Sequence, residues 1–242
     1  MNYRGLSIPF VDFGGGVTSD SLFCDKEQAL FNFYEVAGKT GRYKRALDIG
    51  ANIGVHSILM ARQGWEVLAF EPDPVHFLHL MQNMQRHFPP TNSCKNFKGY
   101  GTAVSDHDGS ETFVRVKGNT TGSHLKGDKV PYGELEEFEV NVVDCRPLFS
   151  WATFAKIDCE GHEARLLLTV TPEQARATDF MVEVGNQGNA DAIFNHFRQW
   201  FPYVRMWAQQ SGWQEVVLRR DMPTHHSHGA LFIGRKEPFP KP

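Results

Sequence analysis

A chain of 242 residues, 41% apolar and 22% charged, is long enough to bury a sizeable core as one α/β-sized domain. Its formal net charge of −3 gives no general attraction for nucleic acid or an anionic membrane, so neither is expected as a partner. No window approaches the roughly 18 consecutive apolar residues of a membrane span, and Met1-Asn2-Tyr3-Arg4 does not lead into a signal-peptide apolar run, so a cytoplasmic location is expected.

Residues 1–43 hold a predicted helix, Lys26 to Val36, and read as an N-terminal lead packed on the core. From about Lys44 onward strand-like and helix-like stretches alternate, the pattern of a parallel sheet with helices on both faces, and residues 44–242 are taken as one domain. Strands are predicted near 45–50, 66–71, 97–104, 153–158, 179–184, 202–208 and 229–234, with helices over 54–63, 74–87, 162–170 and 189–200. Pro74 near a helix start and Pro89-Pro90 beyond its end punctuate the second of these helices. Cys24, Cys94, Cys145 and Cys159 show no Cys-x-x-Cys spacing, which argues against a zinc ribbon, a redox pair or a disulfide framework. The proline-rich end, Lys236 to Pro242, cannot continue a strand and reads as a frayed end or short extended arm.

The chemistry concentrates where the alternation begins. Arg45 to Ile49 is a short apolar strand, Gly50-Ala51-Asn52-Ile53-Gly54 supplies a glycine turn, and Val55 to Ala61 has helical spacing. The next strand, Glu66 to Phe70, ends in Glu71-Pro72, and this carboxylate lies 17 residues after Gly54. In a βαβ unit it sits where it can accept hydrogen bonds from both hydroxyls of an adenosine ribose. Asn52 stands where a dinucleotide fingerprint has its middle glycine, and Asp48 precedes the turn. A carboxylate there would repel phosphate and suit a cationic ligand with an amino group and a sulfonium, such as S-adenosylmethionine.

Residues 110–117 and 134–143 break the alternation and read as a β-hairpin insertion. The polar stretch between them, Gly118 to Gly133, contains four glycines and has little apolar surface with which to pack. Thr120, Thr121 and Ser123 offer donors to a polyhydroxylated acceptor, and a mobile lid bordering the substrate site is expected. Phe154 to Ile157 is a further apolar strand that ends in Asp158, with Glu160, His162 and Glu163 close behind. Ligands of open α/β sheets lie outside the carboxyl ends of the strands, so Asp158, Glu160 and His162 should face the same crevice as Gly50 and Glu71, joined by Glu183 from the next strand. Glu163 suits the positive N-terminus of the following helix. His225, His226 and His228 can bind a metal or act as bases, but with no carboxylate at matched spacing a solvated loop is expected. His56 reads as a structural residue near the cofactor.

Taken in order, Asp48-Ile-Gly-Ala-Asn-Ile-Gly54, Ala69-Phe-Glu-Pro-Asp-Pro74, Leu80-Met-Gln-Asn83, Ala103-Val-Ser-Asp106 with Gly109, Lys156-Ile-Asp-Cys-Glu-Gly-His-Glu163 and Met181-Val-Glu183 resemble the FkbM-type methyltransferases. The resemblance covers about residues 44–185, and its specificity lies in the combination. It implies a Rossmann-like class I methyltransferase with a seven-stranded, mostly parallel sheet, using S-adenosylmethionine to methylate a hydroxyl of a sugar or small natural product. Asp48, Gly50, Asn52 and Gly54 would then line the methionine end of the cofactor, Glu71 with Pro72 the ribose, and Ala103 and Val104 the adenine.

Methyl transfer requires alignment of the acceptor oxygen and removal of its proton. Asp158, Glu160, His162 and Glu183 are the candidates for that work, either as a metal-free base or with Asp158 and Glu183 holding a divalent ion such as Mg²⁺. A nicotinamide oxidoreductase is disfavoured by Asn52 and Asp48, and a non-catalytic binding module by the acidic edge at Asp158. The Asn-Pro-Pro-Tyr type motif of base-flipping methyltransferases is absent.

Overall fold

The computed structural model describes residues 2–3, 5–89 and 96–239, so Pro90, Cys94 and the last three residues lie outside the described part. The strands of the domain are β1 (Arg45–Ile49), β2 (Glu66–Phe70), β3 (Phe97–Tyr100), β4 (Ala103–Ser105), β5 (Gly109–Val116), β6 (His124–Leu125), β7 (Leu135–Asp144), β8 (Phe154–Ile157), β9 (Asp179–Glu183), β10 (Arg205–Ala208), β11 (Gln214–Glu215) and β12 (Ala230–Gly234). The principal helices are α1 (Asp25–Thr40), α2 (Val55–Arg62), α3 (Pro74–His87), α4 (Cys145–Trp151), α5 (Glu163–Leu167), α6 (Pro172–Ala177) and α7 (Gln187–Arg198). Two short hairpins, Asn2–Tyr3 with Leu6–Ser7 and Asp12–Gly14 with Val17–Thr18, precede them.

The main sheet runs β11-β10-β12-β9-β8-β1-β2-β3. Six strands are parallel, while β12 enters antiparallel between β9 and β10 and the two-residue β11 adds an antiparallel edge. The sheet therefore has eight strands where seven were expected. The eighth is too short to leave a periodicity in sequence.

The central strands are buried on both faces because both faces are covered. Ala46 to Ile49 and all of β8 are buried, and α2 buries Ser57 through Ala61 in an unbroken run. α1 packs Phe33 and Tyr34 against Phe154, and Phe33 also meets Phe232, so the N-terminal helix builds one of the two main apolar clusters. The other lies on the opposite face, around Phe149, Phe180 and Phe197.

The predicted strand 97–104 is two strands in two sheets. β3 ends the main sheet at Tyr100, and β4 starts a second sheet ordered β6-β5-β7-β4. Gly99 and Gly101 flank the break, and a Cβ at either would crowd the side chains of α3. The insertion is thus a four-stranded sheet rather than a lone hairpin. Its connecting segment is also better packed than its composition suggests, since Gly122, Ser123, His124 and Leu125 are buried. Helices α4 and α6, which were not foreseen, are single-turn to two-turn elements opened by Asp144 and Thr171 caps.

Candidate active site

A cavity of about 340 Å³ opens at the carboxyl ends of the central strands, where the topology of an open α/β sheet places a ligand. Its floor is the turn after β1. Gly50 has φ 77°, and a Cβ there would lie 1.8 Å from the carbonyl oxygen of Asp158, so only glycine lets the β1 turn pass the end of β8. Asn52, with φ 51°, turns its backbone N–H to Glu71 Oε2 at 2.8 Å, and the Asp73 N–H donates to Glu71 Oε1 at 2.9 Å. Those two bonds fix the carboxyl group of Glu71 in the cavity wall. Burial pushes its pKa up to about 8, against the opposing pull of both N–H donors.

Beside Glu71, Asp73 caps α3 by accepting from Val75 N and His76 N, and it receives Arg115 Nε at 2.6 Å and Nη2 at 2.8 Å. Asp73 is 1% exposed. Burial would raise its pKa, and the Arg115 guanidinium outweighs that and holds it below the usual range. This bidentate pair fastens the second sheet to the start of α3. His76 adds a further tie, its Nε2 lying 2.9 Å from Thr120 Oγ1.

The opposite wall is acidic. Lys156, 4% exposed, donates to Asp158 Oδ2 at 3.1 Å and lies 3.8 Å from Asp48 Oδ1. Burial alone would depress its ammonium, yet Asp158 and Asp48 together raise it. Asp158 and Glu183 are in hydrogen-bond contact and titrate as a pair. Burial and the negative charge of Asp158 raise Glu183 well above an ordinary carboxyl, while Lys156 overcomes burial to hold Asp158 low, so Asp158 carries the charge and Glu183 the shared proton. Glu160, at φ 57°, meets Lys129 Nζ at 2.5 Å. Asp158, Glu160 and Glu183 each offer an oxygen within 4.8 Å of the others.

Residues 48–209 match the model of the methyltransferase FkbM domain. The chain belongs to the FkbM methyltransferase family. No curated protein matches it. Among solved structures it is similar to the FkbM methyltransferase of Methylobacillus flagellatus KT, 17% identical with a TM-score of 0.49 over 83% of this chain and 47% of that one. The chain thus spans about half the length of that protein. It is also similar to the O-methyltransferase of Bacillus cereus in complex with SAH, 12% identical with a TM-score of 0.42 over 85% and 78% of the two chains. A third similar structure is the METTL16 methyltransferase domain, 16% identical with a TM-score of 0.46 over 96% and 90%.

Within this FkbM-family site, most residues singled out from sequence line the one cavity. Gly50, Asn52, Glu71 and Pro72 form one side, Ala103, Val104, Thr121 and Ser123 another, and Asp158, Glu160, His162 and Glu183 the third. Asp48 does not reach it. That side chain is fully buried beneath the floor, where it accepts from Ser57 Oγ at 2.6 Å and faces Lys156, so its charge acts through the lysine. Gly54 also stands back from the cavity, and its φ of 88° and close packing on Leu80 serve the α2–α3 contact.

The role expected of His162 needs correction. It is 1% exposed, with Nδ1 2.8 Å from Asp128 Oδ2 and Nε2 3.2 Å from Ser105 Oγ, so both nitrogens are engaged. It joins Asp128 and Ser105 of the second sheet region to the loop after β8, and both ring nitrogens are occupied. Ser123 likewise spends its Oγ accepting the Val116 N–H, and Thr121 donates to Asn119 Oδ1. Glu163 turns away from solvent to accept the N–H groups of Cys159 and Gly161, which shapes the loop that carries Glu160. Burial raises its pKa to about 7.

Several cavity residues left no motif. The N-terminal lead contributes Leu22, Cys24, Lys26 and Glu27, and His56 bridges that segment by contacting Glu27 Oε2 at 3.0 Å and Tyr34 Oη at 2.9 Å. His226 lies at the mouth, exposed, while His225 and His228 bond within their own loop. Among the described residues these three imidazoles form no metal-holding group. No described helix is long and apolar enough to cross a membrane.

Proposed function

We propose that this chain binds S-adenosylmethionine in the cavity and methylates a hydroxyl group of a sugar or small natural product. The observation that carries this reading is the pairing, across one cavity, of Glu71 at the end of β2 with the Asp158–Glu183 carboxyl pair at the ends of β8 and β9. The cavity volume of about 340 Å³ falls in the range of small-molecule sites. Glu71 keeps lone pairs beyond its two backbone bonds and can accept from ribose hydroxyls. Ala103 and Val104 supply an apolar wall for a purine. S-adenosylmethionine, when bound, supplies a methyl group already activated on a sulfonium.

The protein has two tasks left. It must hold an acceptor oxygen in line with that methyl, and it must take the hydroxyl proton as the new C–O bond forms and the C–S bond breaks. Asp158 is the base, because Lys156 keeps it ionised. Glu183 carries the proton of the pair and shares it with Asp158, which holds that carboxylate in place against the acceptor oxygen. A positioned base of this kind contributes about 10²–10⁴-fold.

The test uses labelled S-adenosylmethionine with a panel of sugars and polyhydroxylated natural products, alongside calorimetry with S-adenosylhomocysteine and with a nicotinamide dinucleotide. Binding of S-adenosylhomocysteine alone, with label transferred to an acceptor oxygen and lost in Asp158→Asn, is the expected result. Preference for the nicotinamide ligand would overturn the reading, as would an Asp158→Asn protein that transfers methyl at the wild-type rate.

A further inference from the structure

Ionised carboxyl groups converging within 4.8 Å repel one another, and partial burial strengthens that repulsion. Proteins relieve such a cluster with a divalent cation, by protonation, or with a resident positive side chain. We propose that Lys156 is the resident cation of this acidic ring, standing against Asp158 where its charge opposes entry of a divalent metal ion, and that it positions Asp158 as the proton acceptor.

The geometry supports this in three ways. Lys156 Nζ stands 3.1 Å from Asp158 Oδ2 and 3.8 Å from Asp48 Oδ1, so one ammonium bridges a carboxylate of the ring and one beneath it. Lysine presents three donors on a compact charge, and this one is held from below by β8, whose four residues are all buried. A second ammonium, Lys129 Nζ, reaches Glu160 from the insertion at 2.5 Å. With Asp158 and Glu160 each facing a lysine and Glu183 in contact with Asp158, the ring has no strong field left to strip water from a hard cation. A divalent ion seated among the three oxygens would also lie within a few ångströms of Lys156, at a large repulsive cost. Of the two alternatives, a metal-free base is thereby favoured over Asp158 and Glu183 holding Mg²⁺.

The consequence for methyl transfer rests on the function proposed above, whereas the ion-binding claim does not, and the two are tested separately. Mn²⁺ alone is titrated into the full chain and followed by the loss of the free-ion electron paramagnetic resonance signal. The wild-type protein is expected to leave that signal unchanged at millimolar Mn²⁺. Lys156→Gln, which keeps a donor on a side chain one atom shorter and removes the charge, is expected to bind Mn²⁺ roughly tenfold or more tightly than wild type, and Lys156→Arg is expected to exclude it again. Wild-type binding that disappears in Glu183→Gln would overturn the proposal. So would a Lys156→Gln chain that retains the wild-type circular dichroism spectrum yet takes up no Mn²⁺. S-adenosylhomocysteine calorimetry on the wild-type protein checks the methyltransferase reading independently, so its failure leaves the metal result interpretable.

Discussion

Burial pushes the pKa of Glu71 up to about 8, and this gives the proposed cofactor site a pH signature of its own. Ribose hydroxyls donate best to the ionised carboxylate, so a bound cofactor favours the charged form and expels a proton. If only the ionised form binds, apparent affinity for S-adenosylhomocysteine should strengthen by up to tenfold per pH unit below the pKa, about 50-fold in all between pH 6 and pH 8. The ligand-free protein should show the opposite slope in stability. The folded state keeps its Glu71 proton between the ordinary value of 4.5 and about 8 while the unfolded chain has lost it, so the stabilisation is full below pH 4.5 and is lost as pH rises toward 8. Calorimetry in buffers of different ionisation enthalpy measures the released proton directly. Glu71→Gln should bind weakly with no such slope, and its amide can satisfy only one of the two backbone N–H groups, at a cost of about 1–3 kcal/mol in stability. An affinity that does not change with pH, or a Glu71→Gln protein that keeps the wild-type slope, would refute the assignment.

Arg115→Ala should cost about 3–5 kcal/mol, because it strips the guanidinium from a carboxylate that is 1% exposed; thermal denaturation should show a drop of roughly 10 °C or more, with larger losses in hydrogen-exchange protection across residues 109–144 than elsewhere. Gly50→Ala should be far more damaging than Gly54→Ala. Both have positive φ, but the new Cβ would meet a backbone oxygen at 1.8 Å in the first case and Leu80 Cγ at 3.2 Å in the second, so urea titration should separate the two by at least about 2 kcal/mol.

What could be read in the sequence was whatever is decided locally or by sheet topology. A glycine turn between an apolar strand and a helix places Gly50 and Asn52, and the next strand must return parallel, which delivers Glu71 to the same edge. The same reasoning brings Asp158 and Glu183 together, since β8 and β9 are adjacent parallel strands whose carboxyl ends coincide. Burial then decides the chemistry of each group, and burial is a property of neighbours. Asp48 illustrates the limit. Its position before the glycine turn is plain in sequence, but that its side chain turns inward to Ser57 depends on α2 lying directly beneath.

The groups that were misread or missed are those whose partners come from distant parts of the chain. His162 lies two residues beyond Glu160 and shares its motif, yet its ring is claimed by Asp128 and Ser105, which are 34 and 57 residues away. Arg115 stands in an ordinary amphipathic strand, and only the docking of the second sheet brings it 42 residues back in sequence to Asp73. Both contacts belong to the same structural event, the closure of the insertion over the cavity. A polar, glycine-rich segment with little apolar surface to bury looks mobile in isolation, because its ordering entropy has little visible compensation. Here the compensation is polar: the Arg115–Asp73 and Lys129–Glu160 ion pairs and the His162–Asp128 hydrogen bond fasten the insertion at three points around the cavity rim. His162, which a motif would assign to catalysis, is thereby used to build the cavity wall, and the function proposed above assigns the proton chemistry to the carboxyl pair beside Lys156.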